Sequence, residues 1–417
     1  MVDTTNKAIA EPVQGATSWG DTLNANFTII DNAFGGNSSI SVTGVTTTQT
    51  LTSAQYQNLI LTFSGTLSAN LIYQVPAGVS GRWIIANNTI GLYTLTISTG
   101  VIASASVITT QGYGTVVYSE GTNVYQLGVT LGTTTGTVVF GGGYTVTNSS
   151  VMDYINITNI SNAATFGNLT IAREYLAGVN SSTRGVFGGG TTGTLSAVMD
   201  YITIATAGDA TTFGNLTVAR NYLAGVSSAT RGVFGGGTSS AVMDYITIAT
   251  IGNATSFGNL TVAREGLAGV NSSTRGVFGG GTTSTVSAVM DYITIATTGN
   301  ATTFGNLTVA RGYLTGVNSS TRGVFGGGYT TTYSAIMDYI TIATTGNATS
   351  FGNLTLARYL LAGVSSETRG VFGGGAVSSY SAVMDYITIA TTGNATTFGN
   401  LTVARYGLAG VSGYVQT

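Results

Sequence analysis

The chain has 417 residues, 43% of them apolar, which is enough for two or three domains with buried cores, yet only 7% are charged and the net charge is −2. One lysine (Lys7) and no basic stripe leave phosphate-backbone contacts without an electrostatic basis, so no nucleic-acid partner is expected. Cysteine and histidine are absent, which excludes disulfides and thiol chemistry and removes the commonest metal ligand and general base; no metal and no cofactor are expected.

Residues 1–12 carry no basic segment followed by an apolar run and do not read as a signal peptide. Charge-free stretches such as 83–119 are broken by Asn, Thr, Ser and Gly, so no membrane insertion is expected. Synthesis in a bacterial cytoplasm fits this, and the Asn-Ala-Thr and Asn-Leu-Thr triplets then have no glycosylation role. Residues 17–34 predict a short helix: Thr17 or Ser18 can cap it, Leu23, Phe27, Ile30 and Phe34 fall at 4-3-4 spacing, and Gly35-Gly36 ends it. Such a stripe seals a core or meets its counterpart in other subunits.

Residues 41–130 predict a small β-sandwich-like domain, with strands near 59–63, 71–75, 83–86, 93–98, 115–119 and 124–127 and a hairpin turn at Glu120-Gly121. "GATSWGDTLNANFTIIDNAFGG" resembles the N-terminal segment of tail-fibre and receptor-binding proteins of tailed bacteriophages. "LTSAQYQNLILTFSGTLSANLIYQVPAGVSGRWIIANNT" with "VVYSEGTNVYQL" resembles the β-domain that often follows it. The resemblance covers residues 8–130. It implies a virion (tail) location, a homotrimer, docking of residues 1–40 on other virion tail proteins, a spacer or trimerisation role for 41–130, and a C-terminal part that meets the host.

From residue 131 onward the chain repeats. The triple glycine of "VFGGG" begins at Gly141, Gly188, Gly235, Gly279, Gly326 and Gly373, at spacings of 47, 47, 44, 47 and 47 residues. A period of this length marks a propeller, solenoid or array. Each unit contains four strand-like stretches, in the second unit 176–180 (A), 185–188 (B), 197–205 (C) and 213–220 (D), none with a helical period. Four strands with tight connectors make an antiparallel meander, one propeller blade. The first unit lacks an A strand and the last has a spare one at 408–412, so six blades close if the C-terminal strand completes the first, removing an exposed edge. The fold class is therefore all-β: a short helix, a small β-domain, then a six-bladed propeller over 131–417.

"LTVAR..LAGVSSSTRGVFGGG" and "MDYITI" resemble kelch motifs: a D-strand Arg, an A strand, a B strand ending in glycines, and a C-strand tyrosine. The usual D-strand Trp is Phe here (Phe166, Phe213, Phe257, Phe304, Phe351, Phe398), and the Tyr-to-aromatic spacing is longer than in kelch.

The charges of the repeats recur by register. Asp153, Asp200, Asp244, Asp291, Asp338 and Asp385 each precede a tyrosine; Arg173, Arg220, Arg264, Arg311, Arg358 and Arg405 each close strand D; Arg184, Arg231, Arg275, Arg322 and Arg369 sit at the A–B turn. Catalysis needs one asymmetric constellation, so groups repeated in every blade read as Asp–Arg pairs joining strands, and no catalytic residue is assigned. The glycine clusters are not phosphate loops, because no lysine follows them and no helix begins there. Variation collects in the B–C loops and in the two residues after each D-strand Arg. A meander puts both on one face, with Tyr144, Tyr175, Tyr222, Tyr313, Tyr329, Tyr333, Tyr359, Tyr380 and Tyr406, and with Glu174, Asn221 and Glu265 as polar anchors. Rings beside hydroxyl and amide groups suit a glycan or a protein receptor. The expected function is thus host attachment by a tail-fibre subunit, not enzymatic. The alternatives are a glycan-cleaving propeller using Glu174 or Glu265, which needs paired carboxylates about 5–9 Å apart, and a structural virion component without a receptor.

Overall fold

Alternating side chains build the first unit. In the computed structural model, residues 29–414 are described except 31, 34, 92, 102–104, 110 and 133–135, and the chain divides into Met1–Thr135 and Gly136–Thr417. The predicted helix at 17–34 lies mostly outside the described residues, with Leu23, Phe27 and Phe34 among those left out; Ile29, Ile30, Asn32, Ala33 and Gly35 are helical.

Nine strands follow: β1 (Asn37–Ser41), β2 (Gln49–Thr50), β3 (Ile60–Thr66), β4 (Leu71–Val75), β5 (Ser80–Ile90), β6 (Leu95–Thr99), β7 (Val107–Thr109), β8 (Tyr113–Glu120) and β9 (Val124–Gly132). They form two sheets, β1-β3-β5-β8-β9 and β2-β4-β6-β7. Early strands alternate between the sheets, and the pairs β1–β3, β3–β5, β2–β4 and β4–β6 are all parallel. The chain therefore winds as a flattened coil before ending in antiparallel pairs, including the β8–β9 hairpin that carries Glu120-Gly121. Phe63, Trp83, Ile85, Leu95 and Ile97 are fully buried between the sheets. The Trp83 indole donates to the Tyr56 carbonyl at 2.7 Å, meeting the one polar demand of that ring. The sheets reach from residue 37 to residue 132, slightly beyond the expected 41–130 on both sides.

The second unit is a ring of six four-stranded meanders. Blade 1 consists of Thr137–Gly141 (B), Val151–Asn156 (C), Ala164–Asn168 (D) and the C-terminal Ala409–Ser412 (A), which pairs antiparallel with strand B. The last strand of the chain thus completes the first blade. Blade 2 has A at Ala177–Asn180, B at Arg184–Gly188, C at Val198–Thr203 and D at Thr211–Asn215, and blades 3 to 6 repeat that order.

Four devices, each recurring from blade to blade, hold the ring. At the axis, the A strands lie side by side. A Cβ on Gly178 would stand 2.2 Å from the Gly410 carbonyl oxygen, and the same approach recurs at Gly225, Gly269, Gly316, Gly363 and Gly410, so only glycine permits it. Between blades, apolar clusters are shared: Met152, Phe166 and Leu169 of blade 1 pack with Phe187, Ile202 and Ile204 of blade 2. Also between blades, six buried ion pairs join consecutive units: Arg173–Asp200, Arg220–Asp244, Arg264–Asp291, Arg311–Asp338, Arg358–Asp385 and the closing Arg405–Asp153, at 2.7 to 3.0 Å. At the perimeter, the C–D loop of one blade accepts a backbone N–H from the D strand of its neighbour, as Asp209 does from Asn168 and Asn253 from Asn215.

The ion pairs correct one boundary. Strand D was expected at 213–220 but spans Thr211–Asn215. The "LTVAR" segment leaves the sheet because its side chains are needed next door: the Thr217 hydroxyl donates to Asp244 and Arg220 pairs with the same carboxylate. The arginines therefore stand in the D–A connection rather than at the end of a strand.

Candidate binding face

The two residues after each arginine form the D–A connection, and they behave differently from each other. The second of the pair is Tyr175, Tyr222, Gly266, Tyr313, Leu360 and Gly407 in ring order, and all six have positive φ, between 56° and 66°. Tyrosine and leucine rarely occupy this left-handed region, which costs them on the order of 1 kcal/mol each. A closed circle of main-chain hydrogen bonds compensates. Tyr222 N–H donates to the Tyr175 carbonyl, Gly266 to Tyr222, Tyr313 to Gly266, Leu360 to Tyr313, Gly407 to Leu360 and Tyr175 to Gly407, at 2.6 to 2.9 Å. The sequence reading missed this circle, although glycine at two of the six positions was the available signal. Those glycines also make room: a Cβ on Gly266 would meet the Tyr313 ring at 2.6 Å and one on Gly407 the Tyr175 ring at 2.8 Å. The rings of Tyr175, Tyr222 and Tyr313 thus line the mouth of the axis.

The first residue of each pair is Tyr406, Glu174, Asn221, Glu265, Gly312 or Tyr359, for blades 1 to 6 in turn. Each meets the B–C loop of the blade that it enters: Tyr406 bridges Tyr144, Glu174 bridges Thr191, Glu265 bridges Thr282, Gly312 bridges Tyr329 and Tyr359 bridges Ala376. Asn221 instead accepts the Thr238 hydroxyl at 2.5 Å. This buried side chain, expected as a ligand anchor, is therefore occupied in fixing a loop.

All nine expected tyrosines are in ring contact with one another. Tyr406 packs on Tyr144 (5.4 Å between centroids), Tyr380 (5.5 Å) and Tyr175 (6.0 Å). Tyr175 stacks on Tyr222 at 4.0 Å, Tyr222 meets Tyr313 at 5.4 Å, and Tyr313 meets Tyr359 at 6.3 Å. Tyr359 in turn stacks on Tyr333 at 5.3 Å and touches Tyr329 at 5.9 Å. The B–C loops of blades 5, 6 and 1 supply aromatic rings; those of blades 2, 3 and 4 are Ser/Thr-rich, and there Glu174, Asn221 and Glu265 enter. The face is therefore half aromatic and half polar.

Burial sets the ionisation of this face. It pushes the phenols of Tyr175, Tyr313, Tyr359 and Tyr406 above their ordinary value and lifts Tyr222 to about 12. Burial also raises the Glu174 carboxyl, opposed by a contact with the Tyr175 side chain. Glu174 is 9% exposed, and its Oε2 has no hydrogen-bond partner among the described residues. Glu265 accepts the Tyr313 hydroxyl at 3.0 Å.

The opposite face repeats one arrangement in five of the six blades, with Thr137 in the arginine's place in blade 1. Arg184, Arg231, Arg275, Arg322 and Arg369 each lie over the strand-C tyrosine of their own blade, 4.4 to 4.7 Å from the ring centre. Each also donates to two carbonyls of the next C–D loop, as Arg184 does to Ile248 and Ala249. The axial channel opens here, lined by Asn180, Ser227, Asn271, Asn318, Ser365 and Ser412. Among the described residues no group of His, Cys, Asp and Glu could hold a metal ion, and no helix is long and apolar enough to cross a membrane.

Circular pairing, shared inter-blade cores and a C-terminal strand in the first blade make residues 136–417 a closed six-bladed β-propeller. No protein-family model matches the chain, and no curated protein matches it significantly.

Proposed function

We propose that the chain is a host-attachment subunit of a phage tail, with a kelch-like propeller that meets the host receptor, a glycan, through its tyrosine-bearing face. The observation that carries this reading is the concentration of sequence variation and of nine mutually packed tyrosines on one face, against an opposite face that repeats one arrangement in five blades. Aromatic rings interleaved with hydroxyl-bearing loops offer flat stacking area and adaptable hydrogen bonds, the combination that sugars require. The resemblance of residues 8–130 to tail-fibre N-terminal regions supports the order of parts: residues 1–40 on the virion, 41–130 as a trimerising spacer, the propeller outward.

Adsorption of the full chain to intact host cells, lost on deleting residues 131–417, is the expected result; adsorption that survives the deletion would take the receptor site out of the propeller, and a full chain that does not adsorb would leave a structural virion component instead. Light scattering is expected to report three copies of the full chain, and a monomer would remove the trimer. A second reading draws on Glu174, whose raised carboxyl suits a general acid in glycan cleavage. Release of reducing ends from host polysaccharide would favour it.

A further inference from the structure

The charge inventory of the propeller narrows the ligand. Of the chain's 13 cationic side chains, Lys7 and Arg82 precede the propeller. Six of the rest are the arginines of the buried ion pairs, and five are stacked on strand-C tyrosines at the opposite face. No cationic side chain of the propeller itself remains for the tyrosine-bearing face, which nevertheless carries Glu174 and Glu265. A carboxylate withdrawn from water is costly unless a donor or a cation meets it, and Glu174 keeps one buried oxygen without a hydrogen-bond partner among the described residues.

The surroundings of these carboxylates are specific. Glu174 and Glu265 enter blades 2 and 4, and the Tyr222 ring feels the charge of both. Tyr175 stacks on Tyr222 at 4.0 Å, and Tyr313 joins Tyr222 to Glu265. Between them, blade 3 has the shortened repeat, 44 residues rather than 47. Its B–C loop is the bare "TSSA", turned through a left-handed Ser239 (φ 53°). The loop between the two acids is therefore three residues shorter than those of the other blades, which leaves a ligand more room at that edge.

We propose that this polar half of the face, Glu174 and Glu265 with the Tyr175–Tyr222 pair, is a subsite for a sugar bearing a protonated amine. The inference rests on the attachment reading and narrows its glycan to a cationic class. The ammonium donates to the partly exposed Glu265 carboxylate, with the Glu174 charge close by, and lies near tyrosine faces, where ring quadrupoles favour a cation. Sugars with carboxylate or phosphate groups meet two acidic side chains and no counter-charge from the propeller, and are disfavoured.

The test uses the full chain and a panel of immobilised oligosaccharides in matched free-amine and N-acetylated forms, with uronic-acid glycans alongside. Free-amine members should bind at least about tenfold more tightly than their N-acetyl partners. Glu174→Gln with Glu265→Gln should remove that preference while the melting transition remains, and Glu265→Gln alone should reduce it. Equal or tighter binding of the N-acetyl forms, binding of the uronic-acid glycans, no binding of either matched form, or a preference that survives both substitutions would overturn the inference. The attachment reading is judged separately, by whether Tyr359→Ala with Tyr406→Ala reduces adsorption to host cells.

Discussion

The two faces of the propeller are built from the same repeats and differ in what the repeats leave free. On the A–B and C–D side, an arginine stacks on a tyrosine in five of the six blades and caps the carbonyls of the following blade. Those side chains are consumed by the scaffold. On the B–C and D–A side, the joints are made by main-chain groups, so the side chains can diverge blade by blade. Divergence in the D–A connections is thus confined to the residues after each buried arginine, where the joints at the axis mouth are made by the backbone.

The strongest way to break this comparison removes the scaffold common to both faces. Deleting residues 407–417 takes away the A strand of blade 1 and one link of the circle at the axis mouth. A large fall in melting temperature or aggregation is expected, because the strand-B edge is left bare; a truncated chain that melts like the parent would contradict ring closure. Next in size is Arg358→Ala, which strands Asp385 uncompensated between blades 5 and 6. Denaturant unfolding should show a loss of about 3–5 kcal/mol, and replacing both partners by apolar residues should recover much of it.

The comparison is sharpened by substitutions confined to one face. Tyr359→Ala with Tyr406→Ala should weaken host adsorption at least about tenfold, or about 1.4 kcal/mol, whereas Ser182→Ala with Ser273→Ala on the opposite face should leave it unchanged. Tyr359 and Tyr406 are half-buried and each touches several rings. A loss of stability of about 0.5–1.5 kcal/mol per aromatic pair therefore accompanies the adsorption defect. If both faces respond alike, the assignment fails.

The smallest effect concerns Glu174, which faces Tyr175, Tyr222 and Tyr406. Burial raises its folded pKa, so the folded chain holds this proton more tightly than the unfolded chain does. Its stabilising contribution is present at acid pH and is lost as pH rises through the raised value. Glu174→Gln should therefore raise the melting temperature slightly at pH 8, with the gain shrinking toward pH 4; a gain independent of pH would argue against the raised carboxyl.

Much of the ring was legible because it follows from counting: five A strands within the array and a sixth left over at 408–412 place the closure without any coordinate. The winding of the first unit was not legible, because alternation in β3, β4 and β5 is the same whether neighbours run parallel or antiparallel. Strand D was overextended because Thr217 and Val218 have β-branched side chains, while the course of the segment is dictated by Asp244 of the next blade, which holds Thr217 and Arg220. At the site, the loops of Tyr144, Tyr359 and Tyr406 were located by variation alone. Their mutual packing, the inward turn of Asn221 and the left-handed backbone at Tyr175, Tyr222 and Tyr313 depend on neighbours in other loops and other blades, 17 residues away for Asn221 and much further for the tyrosine backbones, beyond the reach of any local pattern.

The circle of hydrogen bonds at the axis mouth has a further consequence. Its joints ask of each residue a handedness, which Gly266, Leu360 and Tyr222 satisfy equally in geometry, and beside the Tyr313 and Tyr175 rings they also ask for the space that Gly266 and Gly407 leave. Content at this ring is thereby tied to form only through the adjoining ring. A lineage, or an experimenter, can exchange one blade's entrance residues as a cassette while the remaining five blades keep their alignment, provided that a tyrosine at one position is met by a glycine at the position before it wherever the rings would collide.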